Sequence, residues 1–456
     1  MTGMEGSETG EPRATHAAHG SRGDWVMNTE ETHVRARRSA GSRGGANSGG
    51  ANSGSASSGP NTSDDAAAKP PTRKRTGPAA GGKKPNRRAA RGGLVVAVTG
   101  AAQGIGEQLV RHLASSEAGK SGVVKKVVAI DTIRGDAPEA TWRLADVRDP
   151  VVADRLGGVD VVVHLAVDID STDERSDRNS ANVRGTATVL TAAAAAGVKH
   201  VVLVTSAMVY GAQADNAVPL SEDSPLLAAP DSALLGDLLE MERLAAQAPR
   251  THPGLSVTVL RPAALVGPGV DTVVTRHFEA PRLLALKGER MRWQFCHVDD
   301  LVSALELAVT RGRETESDSG GERYRVAAVG SAGWLDQQDI ERITGKRHIE
   351  LPAAVAFGTA ERLHRLGATP AAAGDLHFLV YPWVVEASWL AEQGWAPEHD
   401  NEDALRAALA ESSGRLAIGG HRLGRRDAAA GAAVGATVAL VGTAALVRRA
   451  RRRRRG

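Results

Sequence analysis

A single cysteine, Cys296, stands among the 456 residues. It excludes an internal disulfide framework and any Cys-based structural zinc site, and no metal site is assigned. Such cysteine usage fits a reducing, intracellular compartment. No apolar run long enough for a secretory signal precedes residue 94, so no export signal is expected. Tyrosine is scarce, with Tyr210, Tyr324 and Tyr381 the full set, and no lysine falls between Lys199 and Lys287. With 42% apolar and 24% charged residues, the chain is neither a fully disordered polymer nor a polytopic membrane protein. Its length allows two or three domains with an ample core.

Charge is divided unevenly. Residues 1–93 carry 15 Lys/Arg against 8 Asp/Glu, and residues 421–456 carry 10 Arg against one Asp. The 94–420 body holds 31 basic and 44 acidic residues, so the pI near 9.1 belongs to the two ends. A sequence-specific nucleic-acid partner is therefore not expected for the body.

Residues 1–93 are dominated by Gly, Ser, Ala, Asn and Arg and are expected to be a disordered basic tail, because so little apolar surface cannot offset chain entropy. At Leu94 the character changes. Leu94–Val98, Val127–Ile130, Val159–Leu165, Val201–Val204 and Val257–Leu260 are short β-branched runs, as parallel strands buried on both faces require. Between them lie helical patterns: Ile105, Leu109 and Leu113 recur at i, i+4, i+8, and Val189–Ala196 ends at Gly197. This alternation predicts an α/β fold, a Rossmann-type doubly wound parallel sheet over residues 94–260. A smaller mixed C-terminal lobe is expected over residues 261–411.

Residues 412–427 read as a basic linker and 448–456 as a poly-Arg tail. Between them, Ala428–Val447 is twenty residues without a charge, long enough for a bilayer as a helix but built from nine alanines and three glycines. Two readings stand: a membrane anchor meeting anionic lipid through its arginines, with Gly431 and Gly435 as a close-packing GxxxG, or an Ala-rich soluble helix. Localisation is expected to be cytoplasmic, with membrane association through this segment under the first reading.

The strongest motif is Thr99-Gly100-Ala101-Ala102-Gln103-Gly104-Ile105-Gly106, set between a buried strand and an amphipathic helix. There glycines give a tight turn, close backbone approach to a pyrophosphate and close helix-to-sheet packing. Asp131 follows Gly106 by 25 residues, where a carboxylate accepts ribose hydroxyls and repels a 2′-phosphate. NAD is accordingly expected over NADP, with Arg134 nearby arguing the other way.

On these residues the 94–411 stretch resembles the extended short-chain dehydrogenase/reductase superfamily, in its NAD-dependent epimerase/dehydratase branch. Further matches follow in family order. Asp146-Val147 resembles the pair that contacts adenine, His164-Leu165-Ala166 ends the fourth strand beside the cofactor, and Asn182-Val183-Arg184-Gly185-Thr186 is similar to the supporting helix segment. Thr205-Ser206-Ala207-Met208-Val209-Tyr210-Gly211 places Ser206 at the catalytic serine position. Arg261-Pro262, Gly267-Pro268-Gly269 and His297-Val298-Asp299-Asp300 resemble the segments entering the C-terminal lobe. The resemblance implies an oxidoreductase or sugar-nucleotide-modifying enzyme, a small-molecule substrate such as a sugar nucleotide, and a homodimer. One departure lies in the loop, where Gln103 sits at a position the epimerase-type spacing gives to glycine.

The second departure concerns chemistry. Active family members carry a Tyr and, four residues on, a Lys; the ammonium lowers the phenol pKa so that the phenolate takes a substrate proton as hydride leaves. Register on Ser206 and Glu242 puts Leu234 at the first position and Leu238 at the second. Loss of a positioned acid–base group costs ~10²–10⁴ in rate. Nearby substitutes are Asp237 and Glu240, expected as solvated helix charges, and His164, expected as a cofactor-pocket backbone position. Cys296, after Trp293 and Phe295, is expected to be a buried small hydrophobe. Two functions remain open: an epimerase/dehydratase-type enzyme with altered proton chemistry, and an inactive NAD-binding sensor or scaffold tethered by its tails.

Overall fold

The computed structural model describes residues 93–115, 123–167, 179–230, 233–311, 323–366, 373–411, 416–418 and 421–423. The basic N-terminal tail, the apolar Ala428–Val447 segment and the poly-Arg tail all lie outside the described residues.

Strands β1 (Leu94–Thr99), β2 (Val124–Asp131), β4 (Val161–His164), β5 (His200–Val204) and β6 (Ser256–Pro262) follow the β-branched runs of the sequence, and the short edge strand β3 (Thr141–Leu144), which no such run marked, joins them. Helices α1 (Gly104–Ala114), α2 (Val152–Arg155), α3 (Gly185–Ala195) and α4 (Ala233–Thr251) alternate with them. A five-residue π-helical turn, Ser180–Arg184, leads into α3. All strands of the main sheet are parallel, in the order β10-β6-β5-β4-β1-β2-β3. Its last member, β10 (Tyr324–Val329), arrives from far along the chain to pair with β6.

The strands are apolar on both faces because helices cover both. Val96 and Val98 of β1, Val161 and Val163 of β4 and Val202 of β5 enter one core cluster with Leu109 and Leu113 of α1. Ala97, Val162, Val201 and Leu203 enter a second, with Val189 of α3 and Leu238 and Met241 of α4. Successive residues of a strand point to opposite faces, so an uninterrupted valine run fills both layers.

Most of the remaining described elements form the smaller lobe. β7 (Ala264–Val266) pairs with β9 (Phe295–His297), and β8 (Leu283–Leu286) with β11 (His348–Leu351), both parallel. Around them stand α5 (Val273–Glu279), α6 (Val298–Arg311), which runs back to pack against α1 and the main sheet, α7 (Gln337–Thr344), α8 (Ala353–Arg365), α9 (His377–Val380), α10 (Ser388–Glu392) and α11 (Asn401–Glu411). Cys296 is wholly buried in this lobe, and burial pushes its thiol well above the ordinary range. The expected buried hydrophobe is what stands there.

A dinucleotide cradle with an apolar neighbour

The chain leaves β1 at Thr99 and turns at Gly100, whose φ of +70° disfavours a side chain. A Cβ on Gly100 would lie 2.7 Å from the Leu165 carbonyl and the Ala166 nitrogen, so the end of β4 packs directly on this turn. One on Gly106 would lie 1.8 Å from the Gly100 oxygen, which fixes the contact between α1 and the loop. Gln103 has φ −158°, extended backbone open to any residue, so the departure in the motif needs no glycine. It caps α1 without a side-chain hydrogen bond. Gln103 and Gly104 are exposed, and the space a Cβ on Gly104 would enter is open. A helix N-terminus with such room above it suits a pyrophosphate.

Asp131, at the tip of β2, closes the other side. Its Oδ2 accepts the Ala102 N–H at 3.0 Å and its Oδ1 the Thr132 N–H at 2.7 Å. Oδ1 also accepts the Thr132 hydroxyl at 3.3 Å, so Oδ2 keeps a further lone pair for a ribose hydroxyl. Arg134 lies exposed three residues beyond it. Asp146 is differently engaged: Arg148 grips it, Nη2 to Oδ2 at 2.6 Å and backbone N–H to Oδ1 at 2.9 Å. That guanidinium holds the Asp146 carboxyl below the usual range. Val147 is buried against Gly185.

His164 is 1% exposed and bridges three elements, its Nδ1 2.7 Å from Thr99 Oγ1 and its Nε2 3.2 Å from Thr186 Oγ1. Burial lowers its pKa to about 4, so the ring is neutral near pH 7. Its ring ties β1, β4 and α3 together through the two threonine hydroxyls. Leu165, Ala166 and Val167, half-buried, continue from it. Ser206 is also half-buried, at the end of β5, and its Oγ accepts the Met208 N–H at 3.2 Å to cap a 3₁₀ turn over Ala207–Tyr210.

Helix α4 presents the two leucines differently. Leu238 is 1% exposed within the second core cluster, beside Leu203, Val209 and Met241, while half-buried Leu234 packs at its margin along with Ala166 and Val167. Asp237 corrects the sequence expectation: it is 3% exposed and no solvated charge. The π-helical turn and the residue before it lie alongside α4 and supply partners, with Asn179 Nδ2 donating to Oδ1 at 2.6 Å and Asn182 Nδ2 to Oδ2 at 3.3 Å. Glu240 does face outward, paired with Arg243 at 2.7 Å.

Beneath the serine lies a buried charged knot that sequence reasoning did not single out. Arg261 of β6 donates through Nε and Nη2 to Glu242 of α4, both at 2.8 Å, and through Nη1 to the Tyr210 hydroxyl at 2.8 Å. Thr205 Oγ1 donates to the same carboxylate at 2.7 Å. The available signal was Arg261 alone in the apolar run from Val257 to Val266.

Loop, acidic clasp and parallel sheet together define a Rossmann protein shaped for a dinucleotide. The chain belongs to the NAD-dependent epimerase/dehydratase family, whose model matches residues 96–327, and NAD is its cofactor. A dTDP-glucose 4,6-dehydratase of Streptomyces griseus is 32% identical over 241 residues, 47% of this chain and 70% of that protein. An uncharacterised protein of Mycobacterium tuberculosis is 32% identical over 232 residues, 48% of this chain; the match spans 60% of the relative's own length. Among solved structures, a UDP-galactose 4-epimerase superposes with TM-score 0.51 at 24% identity, over 70% of this chain and 99% of the other. A UDP-glucose 4-epimerase from Stenotrophomonas maltophila with bound NAD gives 0.52 at 21% identity, over 70% and 98%. These structural likenesses establish the shared fold.

Proposed function

We propose that this protein binds NAD without running the family's tyrosine–lysine proton chemistry, and acts as an NAD-binding sensor or scaffold. In this reading Gly100, Gly104 and Gly106 with Thr99, Gln103 and Ile105 cradle the pyrophosphate, and Asp131 takes the adenosine ribose. Asp146 and Val147 flank the adenine, while His164, Leu165 and Ala166 back the nicotinamide half. NAD, when bound, supplies a hydride acceptor; the chain must supply the base.

The observation that carries the reading is the pair Leu234 and Leu238, of which the second is sealed in the core. The three nearby ionisable groups are engaged elsewhere: Asp237 by two amides, Glu240 by Arg243, and His164 by two threonines. Calorimetry on the full chain is expected to show NAD binding. UDP-glucose and dTDP-glucose are then expected to give no change in NAD absorbance and no altered sugar; turnover that Ser206→Ala abolishes would overturn the reading.

A second reading, a sugar-nucleotide-modifying enzyme with altered proton chemistry, is favoured by Ser206 at its strand end and by the likeness to a dTDP-glucose dehydratase. The same assay decides between them. Homodimerisation is proposed from family resemblance and is checked by light scattering on the purified chain. No helix among the described residues is long and apolar enough to cross a membrane. Anchoring through residues 428–447 is tested by deleting residues 421–456 and following the protein between membrane and soluble fractions.

A further inference from the structure

We propose that His297, Asp299 and His399 form a binding site for a divalent transition-metal ion of the zinc type, independent of the dinucleotide cradle. His297 ends β9, Asp299 lies in the first turn of α6, and His399 lies in the turn before α11. One ligand atom from each lies within 4.8 Å of the others. Tetrahedral zinc with bonds of about 2.0–2.2 Å separates its ligands by roughly 3.3–3.5 Å, so loading requires an approach of about an ångström.

Each group is available in a distinct way. His297 is 5% exposed; its Nδ1 accepts the Asp299 N–H at 3.3 Å and lies 3.4 Å from Asp299 Oδ2, so coordination through Nδ1 exchanges that long hydrogen bond for the ion. His399 Nδ1 is buried and lacks a hydrogen-bond partner among the described residues. It lies 3.3 Å from Asp300 Oδ2 without the alignment a hydrogen bond needs. An orphaned imidazole nitrogen beside a carboxylate is costly to keep dry and is satisfied by a cation. The Asp299 side chain, 63% exposed, opens the cluster to solvent.

Asp300 holds the frame. It is 1% exposed, and its Oδ1 accepts the Glu398 N–H at 2.7 Å while Oδ2 accepts the His399 N–H at 3.3 Å. The turn bearing His399 is thereby fixed against the start of α6 before any ion arrives. The two imidazoles stack with centroids 3.9 Å apart and planes inclined 29°. Stacked rings do not aim both lone pairs at one point, so loading turns the more exposed ring, that of His399, toward Asp299. Two nitrogen donors with one carboxylate favour Zn²⁺, Co²⁺ or Ni²⁺ over Mg²⁺ or Ca²⁺, which prefer all-oxygen shells.

Cobalt titration of the full-length, untagged protein provides the test, because visible d–d bands report coordination. One equivalent of Co²⁺ is expected to develop the bands and Zn²⁺ to bleach them, with Mg²⁺ inert. His399→Gln is expected to remove them, and Asp299→Asn, an exposed site that leaves the fold intact, to weaken Co²⁺ binding at least tenfold. Zn²⁺ is expected to raise the melting temperature of the parent protein and not that of His399→Gln. Absence of bands, or bands indifferent to both substitutions, would overturn the proposal. So would a melting temperature that responds to pH but to none of the ions, the mark of a proton-sharing histidine pair.

Discussion

Glu242 holds the Arg261 guanidinium in a two-pronged grip, both hydrogen bonds 2.8 Å long and the side chains 2% and 5% exposed. The pair ties α4 to β6 one helical turn beyond Leu238. Thr205, Tyr210 and Tyr324 complete its hydrogen bonding, Tyr324 reaching Glu242 Oε2 at 3.2 Å. Burial and the Glu242 charge push the Tyr324 phenol above its usual range. Such a knot fixes geometry more than it stabilises, since both charges had to leave water.

Removing one partner leaves the other charged and unpaired. Glu242→Gln is expected to destabilise the protein by about 3–5 kcal/mol. Urea unfolding followed by circular dichroism measures it. The double replacement Glu242→Met with Arg261→Met is expected to recover much of that loss, since no lone charge then remains.

Leu238 is a core residue, and on the proposed register it stands where the family resemblance implies a lysine. Leu238→Ala is expected to cost about 2–5 kcal/mol through lost burial and a residual cavity, read from the urea midpoint. Leu238→Lys is expected to be worse, because an ammonium would be forced among Leu203, Val209 and Met241. Leu234 is half-buried at the edge of that cluster, so Leu234→Tyr is expected to be tolerated within about 1 kcal/mol.

Asp131 acts on both loop and ligand. Asp131→Ala removes the acceptor for the Ala102 N–H as well as the proposed ribose contact. NAD affinity is expected to fall by about 1–3 kcal/mol, roughly 5- to 150-fold. Calorimetry with NAD and NADP side by side is expected to show the ratio shifting toward NADP, since the carboxylate's repulsion of a 2′-phosphate is gone.

Acid should unfold this protein before most carboxylates titrate. Burial lowers the pKa of His164 to about 4, of His200 to about 4 and of His277 to about 3. Between pH 6.5 and 4 the unfolded chain therefore binds three protons that the folded chain refuses. Their stabilising contribution is full above pH 6.5 and lost as pH falls, with a limiting slope of about 4 kcal/mol per pH unit. His112 has the opposite sign: its 2.7 Å contact with Glu306 raises its pKa, so its contribution is full at low pH and fades as pH rises through the raised value. That pair is partly exposed and single, so the buried three dominate. Melting temperature against pH from 8 to 4 checks the sign.

The Rossmann architecture was legible because its signals are local. Valine runs marked β1, β2, β4, β5 and β6, and the spacing from Gly106 to Asp131 put an acid at the tip of β2, where it accepts the Ala102 N–H. Asp237 was not legible. Its burial depends on the π-helical turn at Ser180–Arg184, which brings Asn182 to face it, and no helical periodicity in α4 announces a neighbour fifty-five residues away. His297 and His399 meet across a similar gulf, and β10 returns to the main sheet only after the small lobe has begun. Pairings set by the closing of distant loops leave no trace in nearby residues.

The approach of Gly106 to the Gly100 carbonyl carries a consequence for how this sequence can change. Even a methyl group has nowhere to go between that oxygen and the first turn of the helix. Drift at either position therefore cannot proceed by small steps. A lineage keeps both bare backbones or abandons the joint between strand and helix, however freely its tails and leucines diverge.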